Sequence, residues 1–459
     1  MSSINQSIHA TQHQFNKISS TTDSYDFFNL LTSPELLDKT ESLLPEHRER
    51  LFPPIETLSM FLAQVMSQDG SCQSAVNDSA VKRLFGGLTT CSTATGGYCK
   101  ARARLPLNMA STLSRYTAKL MVEQTPKHWQ HRGRPVRLID GTTASMPDTQ
   151  ANQSVYPQPA SQKQGLGFPL CRIVGITCLV SGALLDAAIG PCKGKGSSEQ
   201  DLLRQMLGTF EPGDIVLGDA YFGSYFFLAW LIEHKVDAVF EQMGARKTDF
   251  TQGQLLGVKD HIVKLQKPKR KPAWMPQEQF DQAPRQLSIR ETKVAGKVLI
   301  TTLISNKEYK RKQLSDLYKS RWHIELDLRD IKTTLGMNLF RCTTPQMVEK
   351  EMWTYLLAYN LIRLLMVQTA VLAKILPRQI SFKHTLQLWL SWSRYNTNEG
   401  DKELTQLLIM IAQNKVGNRA GRVEPRAVKK RPKPLPLLTI TRQQARAEIA
   451  KNGHPKKLK

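Results

Sequence analysis

The segment Leu317 to Leu335, LYKSRWHIELDLRDIKTTL, carries side chains suited to chemistry on phosphate. If it forms one helix at about 100° per residue, with Tyr318 at zero, Arg321 falls near about 300°, Glu325 near about 340° and Lys332 near about 320°. One stripe then presents a phenol, a guanidinium, a carboxylate and an ammonium. Leu317, Ile324, Leu328, Ile331 and Leu335 fall beside it, between roughly 220° and 280°, so the helix can bury its apolar side and leave the polar stripe bordering a cleft. Arg321 and Glu325 could simply be an i, i+4 surface pair. Such a pair contributes about 0.3 to 0.5 kcal/mol and leaves Tyr318 and Lys332 on the same line unexplained.

Two more acids end short apolar runs, Asp140 in VRLID before Gly141 and Asp219 in DIVLGD. Asp140, Asp219 and Glu325 meeting at one sheet edge would repel one another unless cations sat between them. Oxygen donors with open positions suit Mg2+ or Mn2+, and two such ions ~4 Å apart stabilise the attacking and leaving oxygens of phosphoryl transfer. Arg321 would grip phosphate with a fork and Lys332 as a point charge.

Positioning these groups requires a mixed α/β core. Val136 to Asp140, Cys171 to Val180, Ala183 to Ile189, Asp214 to Asp219 and Asp237 to Glu241 read as strands, with a turn at Ser181-Gly182 and a helix from Ser224 to Lys235. KGKGSS, Lys193 to Ser198, lacks full phosphate-loop spacing and reads as an ordinary helix start. From about 243 to 305 the pattern breaks into a basic stretch, Lys264 to Trp274, and two alternating runs, Gln286 to Thr292 and Lys297 to Ile304, turned at Ala295-Gly296. This reads as a β-rich insertion. Long helices are expected over about 310–335 and 344–376.

Residues 1 to about 125 read as helical, with starts at Ser33-Pro34-Glu35 and Pro53-Pro54. Another helix, near Cys72 to Leu84, ends at Gly86-Gly87. A short basic helix then carries Tyr98, Lys100, Arg102 and Arg104, compatible with a DNA-reading unit. A bundle with a solvated charged face fits the same pattern equally well. The tail beyond Gly417 is rich in Pro, Lys and Arg and is expected to be extended or disordered without a partner.

The spacing Tyr318, Arg321, Glu325, Lys332, with LIDGTT at Asp140 and LGDAYFG at Asp219, resembles the IS-four (insertion sequence four) family of DDE transposases. The likeness spans about 92 to 440 and includes the basic EPRAVKKRPKPLPLLT. The resemblance implies a ribonuclease H-like catalytic fold, α/β, with the β-rich insertion between the second Asp and the Glu; the residue pattern before it is expected to form a helical N-terminal DNA-binding domain. The boundaries expected are 1–125, 126–376 and a helical then basic 377–459. It implies cut-and-paste transposition: water activated by metal nicks DNA at terminal inverted repeats, the freed 3′-OH attacks target duplex, and second-strand cleavage passes through a hairpin. Tyr318, Arg321 and Lys332 would contact phosphate near the transferred end, and Trp274 would stack on a flipped base. A homodimer is expected in the transposition complex. A nuclease of the same fold shares the carboxylates but does not account for the Tyr, Arg and Lys of the stripe. A non-catalytic DNA-binding regulator would not need three intact acids.

The charge agrees. Across 459 residues, 63 Lys plus Arg against 39 Asp plus Glu give a formal +24, which favours a polyanionic partner. The seven cysteines are scattered without CxxC pairs and read as reduced thiols rather than a zinc site or disulfide framework. Lone histidines such as His323 read as structural, and Trp322 is expected to pack its helix. The polar N-terminus has no secretory h-region, and the apolar run Met352 to Leu376 contains Asn360, Arg363, Gln368 and Lys374, so a buried helix is expected rather than a membrane span. Together with the family resemblance, this leads to the expectation of a cytoplasmic, bacterial-type, nucleoid-associated location.

Overall fold

The computed structural model describes residues 38–40, 42–44, 51–87, 91–194, 196–244, 246–395, 401–417 and 437–453. The expected helix start at Ser33 and the basic run 423–436 lie outside them. Between Pro54 and Gln124 the chain forms α1 (Pro54–Met66), α2 (Cys72–Phe85), α3 (Gly96–Arg104) and α4 (Met109–Gln124). Pro54 opens α1 where no backbone donor is needed. Ser71 caps α2 by accepting from the Ser74 amide at 3.1 Å.

The chain then builds β1 (Val136–Ser145), α5 (Gln150–Val155), β2 (Leu170–Cys178), β3 (Leu184–Pro191), α6 (Glu199–Arg204), β4 (Ile215–Gly218), α7 (Tyr225–Glu233) and β5 (Asp237–Glu241). β1 pairs antiparallel with β2 and parallel with β4, and β4 pairs parallel with β5. β4 is buried along its whole length because elements cover both faces. The inserted segment adds β6 (Gln254–Gly257), β7 (Asp260–Gln266), α8 (Gln277–Gln282), β8 (Gln286–Val294) and β9 (Lys297–Thr301). It is not an appended unit. β9 pairs with β5, and the sheet runs through nine strands in the order β3-β2-β1-β4-β5-β9-β8-β7-β6. The β8–β9 hairpin turns where expected, with Ala295 at φ 46° and Gly296 at φ 83°, the two positive values a tight primed turn demands. The alternation missed β6 and β7, which lie in the stretch read as pattern breakage.

The segment expected as one helix from 310 to 335 is three pieces: α9 (Arg311–Lys319), α10 (Trp322–Arg329) and a π turn, Asp330–Thr334. Between α9 and α10 the backbone tightens. The amides of Ser320, Arg321, His323 and Ile324 each bond three residues back, and the Ser320 hydroxyl competes for the Leu317 carbonyl. The uniform 100° step therefore does not hold across the stripe.

Last come α11 (Pro345–Ala373), α12 (Phe382–Tyr395), α13 (Asp401–Gln413) and α14 (Arg442–Asn452). α11 is long and apolar enough to cross a membrane, but 78% of its apolar window is buried in the protein. One hydrophobic cluster joins it to α1, α4, β2 and α13 through Leu62, Leu113, Ile173, Leu357 and Ile411. Each fully buried leucine or isoleucine there contributes about 1.5–3 kcal/mol. α14 corrects the expectation of an extended tail: Thr441 caps it in a reciprocal capping box, and its start rests on the loop at Lys163 and Gly165.

Candidate functional site

β1 and β4 stay in parallel register up to Leu138 and Leu217. Asp140 on β1 and Asp219 just past the end of β4 each stand two residues beyond that last pair, and the two strands run about 4.8 Å apart. By strand alternation Asp140 faces the same side as Val136 and Leu138, which pack on Leu314, Leu317, Ile324 and Leu328 of α9 and α10. Glu325 follows Ile324 on that helix and is thereby brought to Asp140.

Arg321 joins them. Its guanidinium donates to Glu325 Oε1 at 2.7 Å and lies 3.5 Å from Asp140 Oδ2. Asp140 Oδ1 accepts from the Gly141 amide at 2.8 Å, and Asp219 Oδ1 from the Tyr221 amide at 2.9 Å. Burial pushes the Asp140 carboxyl up to about 6; Asp219 and Glu325 push the same way, while Gly141 and Arg321 oppose them. Gly141 leaves room for the Glu199 carboxyl, which a Cβ there would displace.

The tightened turn brings Tyr318 beside the same cleft, where its hydroxyl donates to Glu241 Oε2 at 3.3 Å; Lys297 holds that oxygen at 2.6 Å. Glu241 received no role from sequence, although it too is an acid ending an apolar strand. Lys332 lies on the π turn, half-buried near Cys171, and burial lowers its ammonium. Among the described residues, no hydrogen bond or ion pair joins it to Asp140, Asp219 or Glu325.

The remaining residues separate. Trp274 is 44% exposed and sits on the other face of the sheet, under the Arg204 guanidinium at 3.9 Å from the ring centre and edge-on to Phe226 at 6.3 Å. It lines a cavity of about 770 Å³ with Arg204, Phe226 and Trp230. Gln200, also in its wall, donates to the Tyr221 carbonyl just after Asp219. Lys100 and Arg104 are exposed on α3. Arg102 corrects the reading of α3 as uniformly presented. It is buried, donates to Gln64 at 3.3 Å and to the Cys72 sulfur at 3.1 Å, and lies over the Phe61 and Tyr98 rings, so its charge serves the helical core. Trp322, expected to pack, is 52% exposed. His323 is pushed down to about 4 by burial and Arg378, as a structural neutral histidine would be. All seven cysteines are free.

Among the described residues no three His, Cys, Asp or Glu side chains stand close enough together to hold a metal ion. Arg321 engages two of the three acids. Carboxylate oxygens are nevertheless the donor class that a hard divalent cation prefers.

A model of the Transposase DDE domain family matches residues 131–361. The chain is 30% identical over 346 residues to the transposase InsG for insertion sequence element IS4 of Escherichia coli (strain K12), covering 72% of this chain and 76% of that one. The chain belongs to the IS4 family of DDE transposases. It is thus an enzyme of DNA cleavage and strand transfer, and its family generally uses divalent metal ions. The transposase for insertion sequence element IS421 of Escherichia coli is 35% identical over 68 residues, 15% of this chain and 18% of its own. A solved piggyBac transposase synaptic complex with hairpin DNA aligns at 9% identity with a TM-score of 0.43, covering 88% of this chain and 87% of that one.

Proposed function

We propose that this transposase performs cut-and-paste transposition with Asp140, Asp219 and Glu325 as its metal-binding triad. The observation that carries the reading is Arg321 spanning Asp140 and Glu325 beside the in-register Asp219. The triad would hold two Mg2+ or Mn2+ ions, which when bound would activate a water or the DNA's own 3′-OH as nucleophile and stabilise the leaving oxygen. Arg321 then exchanges carboxylate for phosphate, which it can grip with two parallel N–H donors. Tyr318, freed from Glu241, donates its hydroxyl to a second phosphate oxygen, and Lys332 tracks the backbone farther along. Trp274 stacks on an unpaired base in its cavity. Terminal inverted repeats and target duplex are the substrates, the second strand is cleaved through a hairpin, and a homodimer pairs the ends.

The order β3-β2-β1-β4-β5, with β2 alone running against the other four, supports a ribonuclease H-like core spanning 126–376. The insertion occupies about 243–305, helices to 125 form the DNA-binding part with Lys100 and Arg104 on its surface, and 377–459 completes the chain. The setting is the bacterial cytoplasm, at the nucleoid.

Asp140→Ala, Asp219→Ala and Glu325→Ala are each expected to abolish metal-dependent cleavage of end DNA while binding persists. Undiminished cleavage by any one removes that residue from the triad.

A further inference from the structure

Asp327 lies two residues beyond Glu325, about 200° round the same helix. Glu325 borders the cleft; Asp327 points inward and has no exposure. Arg378, on the short turn Pro377–Gln379, grips it with a two-pronged fork, Nη1 to Oδ1 at 2.7 Å and Nη2 to Oδ2 at 2.8 Å. Arg363 of α11 donates to Oδ1 at 2.7 Å and also lies 3.7 Å from Asp330.

Both arginines extend the connection into the sheet. Arg378 donates to the carbonyls of Cys178 and Leu179, where β2 ends, and the Leu179 amide donates to Val136 at the start of β1 at 2.9 Å. Arg363 donates to the Tyr359 hydroxyl at 2.9 Å, which donates to the Gly182 carbonyl in the β2–β3 turn at 2.9 Å. Gly182 has φ +73°, and a Cβ there would come within 2.9 Å of Arg363 Cζ. One buried carboxylate therefore ties together α10, α11, the 377–379 turn and the end of β2.

Burying such ions costs several kcal/mol each, and apolar side chains of equal volume often stabilise a core as well or better. What the fork supplies is direction: it fixes the carboxylate plane and with it the rotation of α10. We infer that Asp327, Arg363 and Arg378 form a positioning clamp that holds Glu325 at Asp140. Arg363 and Arg378 lie beyond the residues matched by the family model, so the clamp draws on the chain past 361. The inference rests on the reading of Glu325 as a member of the triad. A misplacement of about 1 Å at a reacting centre can cost ~100-fold in rate.

The test uses the full-length protein. Arg378→Lys keeps the charge and loses the fork. It is expected to fold and to bind end DNA normally, yet to bind Mn2+ more weakly without DNA, by electron paramagnetic resonance, and to cleave more slowly in single turnover. Each loss should be about 10- to 100-fold, as when an outer partner of a metal-binding carboxylate is removed. Asp327→Asn with Arg378→Gln removes opposite charges together and is expected to regain the melting temperature lost by Asp327→Asn alone, without regaining cleavage or Mn2+ affinity. Wild-type Mn2+ affinity and rate in Arg378→Lys, or recovery of both with stability in the double variant, overturns the clamp. Absence of metal-dependent cleavage by the wild type, or Mn2+ binding indifferent to Glu325→Ala, overturns the triad instead.

Discussion

Arg321 donates to Glu325 at 2.7 Å, from one turn earlier on the chain, and so occupies an oxygen that a divalent cation would require. The same guanidinium reaches Asp140, so on the proposed triad metal and arginine would compete for two carboxylates. Removing the competitor should favour the metal. Arg321→Ala is expected to tighten Mn2+ binding to the DNA-free protein about 2- to 5-fold, equivalent to the ~0.5–1 kcal/mol of a part-exposed ion pair. It should simultaneously weaken assembly on cleaved ends more than on random duplex. Calorimetry and gel retardation read the two effects; weaker Mn2+ binding would show that Arg321 organises the acids rather than guarding them.

The raised Asp140 carboxyl sets a pH dependence. A carboxylate must lose its proton to bind metal, so below pH about 6 apparent Mn2+ affinity should fall about tenfold per pH unit and above it level off. Titration between pH 4.5 and 8 measures this, and a profile flat through pH 6 contradicts it.

Glu56 makes a second pH dependence, in stability. Burial raises its carboxyl from 4.5 to about 7, against opposing effects from Arg83 and Ser79. Between those values the folded chain holds a proton that the unfolded chain has released, so stability falls as pH rises through this window, by ~3 kcal/mol. Glu56→Gln should be more stable than wild type at pH 7.5 and nearly equal at pH 4.5. Denaturation curves at the two pH values decide; a constant difference sinks the assignment.

The α3 cations should divide. Arg102→Ala leaves buried partners unpaired and is expected to cost ~2–4 kcal/mol of stability. Lys100→Ala and Arg104→Ala should leave the melting temperature in place, weaken end binding and each reduce the salt slope by about 1. Unchanged salt slopes would make α3 a solvated helix face.

Trp274→Ala is expected to alter stability little, the ring being 44% exposed. It should abolish the fluorescence rise of 2-aminopurine placed beside the transferred end and slow second-strand cleavage. A fluorescence rise equal to wild type removes Trp274 from base stacking.

The strands that carry Asp140 and Asp219 were legible because each is a short apolar run ending in an acid, and burial on both faces writes such runs plainly. Glu325 was legible through helical spacing, although the spacing was not the ideal one. Backbone bonds three residues back at 320–324 and a π turn at 330–334 redistribute the stripe, so Tyr318 meets Glu241 and Lys332 drifts toward Cys171. No residue pattern announces where a helix tightens or widens. Arg102 misled because a basic residue on a basic helix looks solvated until Gln64, Cys72 and two aromatic rings close round it. The clamp on Asp327 was invisible because its partners arrive from 36 and 51 residues away.

The cluster around α11 contains side chains from both the N-terminal helices and the sheet that bears Asp140. The N-terminal helices and the sheet thus share one core, and Lys350 of α11 joins α3 to it by donating to the Ala103 carbonyl at 2.8 Å. If α3 grips DNA and the Asp140 cleft cuts it, as proposed, the distance along a duplex between the two points is set by that shared core, as on a ruler, and not by a linker.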